Sequence, residues 1–207
     1  MKCLACKKDT NRTIEGMCVD CYVDNNIPTK VDDRWWIYVV NLERKPLRES
    51  RSNDYDERLS SAIISGDFTV NKNNDSIELH TDKENVSIPL TADNIDNLAK
   101  RTGILVGKWL IYRIESEIDS AWKTIAVATI NGNLGTSAKV STLLHKQKRY
   151  VICVYTYNYL DFRDVENVRN VLKEIEINEK LCYKPDIYTY LGIYYGTTHL
   201  SPCRYRI

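Results

Sequence analysis

Two closely spaced pairs of cysteines constrain the fold of the amino-terminal segment most strongly. Cys3 and Cys6 form one Cys-x-x-Cys pair, and Cys18 and Cys21 form a second pair after eleven intervening residues. Two such turns place four thiolates at the corners of a tetrahedron, which is the geometry of closed structural zinc sites. A redox-active dithiol is the alternative, but no strand precedes the first pair, and the repetition favours a metal. The sequence therefore predicts a structural zinc ribbon or knuckle over residues 1–26, ordered by its metal.

The remaining three cysteines do not continue this pattern. Cys153 lies in a Val-Ile-Cys-Val run, which is typical of a small buried hydrophobic residue, and Cys182 and Cys203 are isolated. Because no export signal follows Met1, we expect a reducing cytoplasm and no disulfide framework. No apolar run is long enough to span a membrane, so no membrane partner is expected. A net charge of +1 provides no strong global field, so any contact with nucleic acid must come from a local patch.

Residues 27–33 are typical of a polar linker, and residues 34–207 have the hydrophobic periodicity of one larger domain. Strands are predicted over 35–40, 68–70, 77–79, 86–88, 108–112, 138–143 and 150–157, and helices over 55–65, 114–130 and 164–177, with a short helix after Thr91. The two strands around the basic turn His145–Arg149 predict an antiparallel hairpin. This order favours an α+β fold with a mostly antiparallel sheet, helices on one face and the other face open to a ligand.

The stretch from Lys184 to Tyr195 holds four tyrosines, a lysine and an aspartate. If it is extended, Lys184, Asp186, Tyr188 and Tyr190 point to one side, because side chains alternate across a strand. Tyrosine combines a flat apolar ring with a polar tip, which suits the wall of a binding site. The alternative is an edge strand whose tyrosines cover a small core.

Several segments of the chain resemble motifs of the basophilic-leukaemia-expressed protein family, whose domain has no assigned function. They are 107–112, 138–142, 151–157 and 183–194, in the same order. The resemblance extends over residues 34–207 and implies a fold similar to the cap-binding translation initiation factor 4E, a curved antiparallel sheet with helices on its convex face. The cap-binding factors hold a methylated guanine between two tryptophans, and Trp35, Trp36 and Trp109 are available here. The zinc module lies outside the resemblance.

The resemblance makes the polar and aromatic members of these motifs the candidate ligand contacts. They are Lys108, Trp109, Lys139, Ser141, Tyr155, Tyr157, Lys184, Asp186, Tyr188 and Tyr190. Lysines that converge on one concave face favour a phosphate or another anion, and tyrosines beside them can stack on a base. The alternative is that these lysines lie on a solvated face, where their stems cover apolar neighbours.

From these features we expect a cytoplasmic module that binds a nucleotide, RNA or another phosphorylated ligand through this lysine- and tyrosine-lined face. Some relatives are described as phosphothreonine lyases, which implies an enzyme as one alternative. In such an enzyme Lys108, Lys139 or Lys184 would act as the base and His145 as the acid. A protein-interaction adaptor, docking through its tyrosines and its zinc module, is the other alternative. The sequence contains no nucleophile elbow, P-loop or HExxH motif, so it leaves catalysis undecided.

Overall fold

The computed structural model of this chain describes residues 1–11, 13–42, 68–71, 75–80, 85–145 and 148–207. The helix predicted over residues 55–65 and the middle of the basic turn, at 146–147, lie outside the described residues. The chain divides into two units. The first contains Met1–Arg44, Trp109–Thr156 and Glu166–Leu181, and the second contains Lys45–Lys108, Tyr157–Val165 and Cys182–Ile207.

The described residues contain five α-helices and nine strands. In chain order they are α1 (Val19–Asn25), β1 (Trp36–Val40), β2 (Phe68–Asn71), β3 (Ser76–His80), β4 (Asn85–Pro89), α2 (Ala92–Thr102), β5 (Gly107–Arg113), α3 (Glu115–Ile130), β6 (Ser137–Ser141), β7 (Tyr150–Thr156), α4 (Phe162–Glu174), β8 (Cys182–Pro185), α5 (Asp186–Tyr190) and β9 (Tyr205–Arg206). A 3₁₀ turn, Leu143–His145, lies between β6 and β7. None of the described helices is both long and apolar enough to cross a membrane.

The strands form two sheets, a six-stranded one in the order β1-β6-β7-β5-β8-β9 and a three-stranded one in the order β2-β3-β4. The pairs β1–β6 and β6–β7 of the first unit are antiparallel, and so are β8–β9, β2–β3 and β3–β4 of the second unit. The predicted α+β class with a mostly antiparallel sheet is therefore confirmed. The predicted hairpin is also present, as the β6–β7 pair.

Burial in the first unit follows the alternation of its strands. Ile37 and Val39 of β1 are buried, and Ala138 and Val140 of β6 are fully buried. In each pair, the residue between the two is more exposed to solvent. Helix α3 packs against β1, β6 and β7. Its own buried stripe is Ile118, Trp122, Ile125, Ala126 and Ile130. Each of these isoleucines contributes about 1.5–3 kcal/mol when it leaves water, so this layer forms the core of the unit.

The amino-terminal segment is fastened to α3 by polar contacts. The indole Nε1 of Trp122 donates to the carbonyl of Asn26 at 3.1 Å, in a buried position. The backbone N–H of Thr29 donates to Asp119 Oδ1 at 3.2 Å, and Thr29 Oγ1 donates to Asp119 Oδ2. The predicted boundaries of 1–26, 27–33 and 34–207 stay a prediction, but residues 1–44 belong to the same unit as α3.

The tyrosine-rich stretch corrects one expectation from the sequence. Only Cys182–Pro185 is a strand, and helix α5 begins at Asp186, so the predicted alternation of Lys184, Asp186, Tyr188 and Tyr190 along one extended wall is wrong. Proline fixes φ near the value that an N-cap residue needs, and Pro185 has φ −61° and ψ 144°. The carboxylate of Asp186 in the first turn is favoured by the helix dipole. Local turn chemistry therefore overrides the strand propensity of the tyrosines.

A buried arginine gives the first unit a testable anchor. Arg169 of α4 is 1% exposed, and its guanidinium donates to the carbonyls of Ile177 at 2.7 Å and Glu179 at 2.8 Å. Arg169→Met leaves both carbonyls without this donor. We expect it to lower the free energy of unfolding by about 3 kcal/mol in urea denaturation followed by tryptophan fluorescence. Lys173→Met, at an exposed position of the same helix, should change it by less than about 0.5 kcal/mol. Equal effects of the two substitutions would contradict the anchoring role.

Candidate functional site

Four side chains lie together on the face of the first unit's sheet that α3 does not cover. Tyr38 of β1 is paired directly with Lys139 of β6, which in turn is paired with Cys153 of β7. Trp36 and Tyr155 lie two residues along from Tyr38 and Cys153, so they point to the same side. We call Trp36, Tyr38, Lys139 and Tyr155 the aromatic face. Tyr38 is 55% exposed, and the other three are half-buried.

The ammonium group of Lys139 lies among the three rings of the aromatic face. Its Nζ is 4.2 Å from the ring centroid of Trp36, 5.6 Å from that of Tyr38 and 5.7 Å from that of Tyr155. A cation at these distances is attracted by the negative faces of the rings, by about 0.5–2 kcal/mol depending on exposure. The arrangement holds one positive charge at the centre of a stacking surface.

His145 extends the aromatic face at one end. Its ring makes edge contacts with Trp35 and Trp36, with centroids 5.1 Å and 4.6 Å away. Burial lowers its pKa, and the charge of Lys139 lowers it further. Its Nδ1 is buried, and among the described residues it has no hydrogen-bond partner. His145 is therefore a neutral aromatic neighbour at physiological pH rather than an additional cation.

Two residues predicted as ligand contacts are instead buried in the first unit. Trp109 is fully buried, so a ligand cannot reach its ring in this structure. Ser141 is 1% exposed, and its Oγ accepts the backbone N–H of Val151 at 2.9 Å. This bond continues the contact between β6 and β7 past the end of the ladder. Trp109 and Ser141 therefore contribute to the packing of the sheet, and their role as ligand contacts stays a prediction.

Three more predicted residues meet in the second unit. Lys108 forms an ion pair with Asp186, and its Nζ is 3.5 Å from Thr189 Oγ1, so β5 is bound to the first turn of α5. The side chains of the pair are only 12% and 14% exposed. Lys184 lies deeper, at 4% exposure. These charges are already engaged by the protein itself.

The Lys184 ammonium has well-defined internal partners. It donates to the carbonyl of Ile193 at 2.8 Å and lies 3.6 Å from the ring centroid of Tyr194. Burial lowers its pKa to about 8, and the neighbouring charge of Lys108 adds to this effect, against the opposing effect of Asp186. A desolvated lysine in this state holds the chain around Ile193 in place. Its ammonium group is buried in this structure, and its role as a ligand contact stays a prediction.

The predicted tyrosines differ in accessibility. Tyr188 of α5 is 2% exposed, and burial raises its pKa. Tyr190 is half-buried. Tyr157 is exposed, and its backbone N–H donates to Asp164 Oδ2 at 2.9 Å. Of the ten predicted contacts, Lys139 and Tyr155 are thus the two that the structure brings together on the open face of the first unit.

Sequence reasoning missed Tyr38 and left Trp36 outside the predicted contacts. Both alternate with the buried Ile37 and Val39, and this period of two was readable in the sequence. The missing information was the pairing of β1 with β6, about one hundred positions away, which brings Tyr38 beside Lys139.

The four amino-terminal cysteines form a separate cluster. Their Sγ atoms all lie within 4.8 Å of one another, and Cys6 and Cys18 are 3.8 Å apart. The backbone N–H of Cys18 donates to Cys3 Sγ at 3.2 Å, and backbone hydrogen bonds from Cys18 and Cys6 lower the pKa of Cys3 to about 6. Contact with the thiol of Cys18 raises the pKa of Cys21 to about 12. Four neighbouring thiols cannot all ionise without mutual repulsion, and a bound cation would stabilise their thiolate forms.

A disulfide joins Cys182 to Cys203, 21 positions later. The expectation that no disulfide forms is therefore wrong for this pair. Strands β8 and β9 pair through Cys182 with Arg206 and through Tyr183 with Tyr205, which brings the two ends of the segment together. Isolated cysteines in sequence gave no sign of this proximity.

The chain matches the family described as basophilic leukemia-expressed protein Bles03 over residues 25–192. Among solved structures it is similar to a schistosome protein described as "Crystal structure of Schistsome eIF4E complexed with m7GpppA and 4E-BP". That similarity has 13% sequence identity and a TM-score of 0.40, and it covers 84% of this chain and 97% of the other.

The lowered pKa of Lys184 predicts a pH-dependent stability. Because the folded chain disfavours the ammonium form, the unfolded chain binds more protons between about pH 8 and the ordinary value of 10.5. Stability contributed at this site therefore rises with pH through that window. Relative to Lys184→Met, the free energy of unfolding of the wild type should gain about 1–2 kcal/mol between pH 7.5 and pH 9.5. Urea denaturation at a series of pH values measures it. Lys173→Met should run parallel to the wild type, and a parallel Lys184→Met curve would refute the buried ammonium.

Proposed function

This chain belongs to the Bles03 family, and we propose that its aromatic face binds a nucleotide or single-stranded RNA. The observation that carries the proposal is the position of the Lys139 ammonium among the rings of Trp36, Tyr38 and Tyr155. Flat rings stack on bases of any sequence, and an ammonium group attracts the phosphate beside them. Few structural roles require a lysine and three aromatic side chains on a sheet face that no described helix covers.

Stacking on the rings and attraction of the phosphate contribute separately to the binding free energy. Base–aromatic stacking contributes about 1–3 kcal/mol per base, so the rings would supply most of the affinity for a short ligand. Neutralising a single phosphate releases counterions, so the affinity falls as salt is added. For single strands, the logarithm of the binding constant falls by about 0.7 per unit of the logarithm of the salt concentration. The rings already hold the ammonium in place, so little side-chain entropy is lost when a phosphate arrives.

Exposed cations that precede two strands of the aromatic face in the chain would support a ligand longer than one nucleotide. Arg149 is exposed and lies one residue before β7, the strand that carries Tyr155, whereas the exposed Lys148 lines a cleft with Glu115 and Asp119 of α3. Arg34 lies two residues before Trp36 and is exposed, although it bonds to Asp33 at 2.9 Å. Because the whole chain has a net charge of only +1, these local charges would provide the attraction. The remaining predicted contacts, in the second unit, stay a prediction and are not needed for this site.

Substitutions on the aromatic face test the proposal directly. We expect Trp36→Ala to weaken binding of a fluorescein-labelled twelve-nucleotide RNA by about tenfold, whereas Trp36→Phe keeps a ring and most of the affinity. Lys139→Met should weaken binding severalfold and reduce the salt slope by about 0.7. Fluorescence anisotropy at several salt concentrations measures both effects.

The matched control is Lys173→Met, which removes a charge from α4 in the same unit. It should leave the affinity nearly unchanged. Equal affinities of Trp36→Ala and Trp36→Phe, or an unchanged salt slope in Lys139→Met, would exclude the aromatic face as the binding site.

We further infer that the four-cysteine cluster holds one structural zinc ion. A tetrahedral site with zinc–sulfur distances of about 2.3 Å has sulfur–sulfur edges of about 3.8 Å. The observed separation of Cys6 and Cys18 has this value, and no pair exceeds 4.8 Å. Four thiolates leave no open position, so the ion would order the segment rather than act on a substrate. Reduced thiolates suit a cytoplasmic location, which we include in the proposal.

Metal analysis checks the zinc assignment. Purified full-length protein should contain one zinc per chain by elemental mass spectrometry, and Cys18→Ser should lose it. Since structural zinc contributes folding free energy, Cys18→Ser should also unfold earlier in urea. Cys153→Ala is the control, because that buried thiol is outside the cluster. Iron in place of zinc would overturn the choice of metal, and full zinc content in Cys18→Ser would overturn the ligand set.

A further inference from the structure

The disulfide between Cys182 and Cys203 has an asymmetric environment. The hydroxyl of Tyr195 donates to Cys203 Sγ at 3.1 Å, and the guanidinium Nη2 of Arg206 is 3.4 Å from the same sulfur. Arg206 also donates to the Tyr195 hydroxyl, so the two side chains hold each other against the sulfur. Both contacts fall on Cys203, and both groups are exposed to solvent.

This asymmetry determines how the bond would break. A thiolate that attacks a disulfide forms a bond with one sulfur and expels the other as a thiolate, and the better leaving group is the sulfur with the lower pKa. A neighbouring cation and a hydroxyl donor stabilise a thiolate. The Arg206 guanidinium and the Tyr195 hydroxyl are placed to stabilise the charge that develops on Cys203. Attack at Cys182 is therefore favoured.

We propose that Cys182–Cys203 is a thiol–disulfide exchange site whose reaction partner is a thiol or dithiol reductant. The incoming thiolate bonds to Cys182 Sγ, the bond between the two protein sulfurs breaks, and its electron pair leaves on Cys203 as a thiolate. The second thiolate of a dithiol then attacks its own sulfur in the mixed disulfide and releases Cys182. The protein gains two electrons and ends with two thiols, and the reductant becomes a disulfide.

Exchange at this site loosens a segment without removing its other restraints. The closed loop contains β8, α5 and the Lys184–Tyr194 contact, and its Asp186 forms an ion pair with Lys108 outside the loop. The backbone N–H of Arg204 also donates to the carbonyl of Tyr183 at 2.8 Å, a bond that does not involve the disulfide. We therefore expect the reduced protein to keep the β8–β9 pairing while the segment between β8 and β9 gains conformational freedom. The site is a redox-controlled restraint on the second unit.

Glutathione reports which sulfur is attacked. We would treat oxidised full-length protein, with zinc present, with reduced glutathione at pH 7, block free thiols with N-ethylmaleimide, and locate both modifications by tandem mass spectrometry. We expect glutathione on Cys182 and N-ethylmaleimide on Cys203, in a ratio of at least about five to one. The cysteines of the amino-terminal cluster are identified on separate peptides and do not enter this ratio.

Variants test the cause of the preference. Arg206→Met removes the cation and should slow the exchange about threefold, with a smaller ratio between the two products. Tyr195→Phe should act in the same direction. Arg163→Met, which removes an exposed charge elsewhere in the second unit, should change neither quantity.

The wild-type measurement alone can overturn the proposal, whatever the variants do. An even distribution of glutathione, or a preference for Cys203, contradicts the assigned direction of attack. A disulfide that survives prolonged treatment with a dithiol shows that the bond is purely structural. Unchanged rates in Arg206→Met would show that the guanidinium has no part in the reaction.

Discussion

The packing of α3 against one side of the first unit's sheet is the interaction on which the rest of that unit depends. Ile118, Trp122 and Ile125 are buried there, and each isoleucine contributes about 1.5–3 kcal/mol by leaving water. The contacts on the opposite side are weaker, since a lysine among aromatic rings is stabilised by about 0.5–2 kcal/mol. Burial therefore selects the orientation of every strand residue. Trp36, Tyr38, Lys139 and Tyr155 are on the aromatic face because their neighbours in sequence occupy the core.

In the second unit, hydrogen bonds and ion pairs between buried polar groups contribute to holding the core together. Asp96 accepts the hydroxyl of Tyr159 at 2.8 Å and the guanidinium of Arg204 at 2.7 Å. Burial and this hydrogen bond raise the pKa of Tyr159, so the phenol remains a donor across the physiological range. Lys184 behaves similarly, with a carbonyl and a ring as partners. Charged residues that resemble ligand contacts in sequence are here used to complete a small core, because leaving any one of them unpaired would cost more than the pair gains.

Sequence periodicity predicted the local elements well and the placement of single side chains less well. The strand at 108–112 and the helix at 114–130 are observed as Gly107–Arg113 and Glu115–Ile130, because long amphipathic patterns leave little freedom. The cysteine pairs predicted a cluster because four ligands at this spacing have few other uses. Lys184 could not be placed, since the turn at Pro185 changes the period of the chain from two to 3.6. The disulfide and the Tyr38–Lys139 pair depend on contacts between distant segments, which periodicity does not report.

The four-cysteine cluster has a physical connection to the aromatic face. Cys18 is the N-cap residue of α1 and Cys21 lies within it, so the cluster fixes both the start and the direction of this helix. The next residue, Tyr22, is buried, and its hydroxyl donates to the carbonyl of Tyr38 at 3.5 Å. That carbonyl belongs to β1, which is the terminal strand of the sheet among the described residues, so backbone groups on one of its sides have no neighbouring strand there. A helix of seven residues has little stability in isolation, so the cluster and the packing of α1 against α3 both help to hold it in this position. The cysteines thus stabilise the edge strand that supplies Trp36 and Tyr38, and a zinc ion bound there would support the proposed binding surface without touching its ligand.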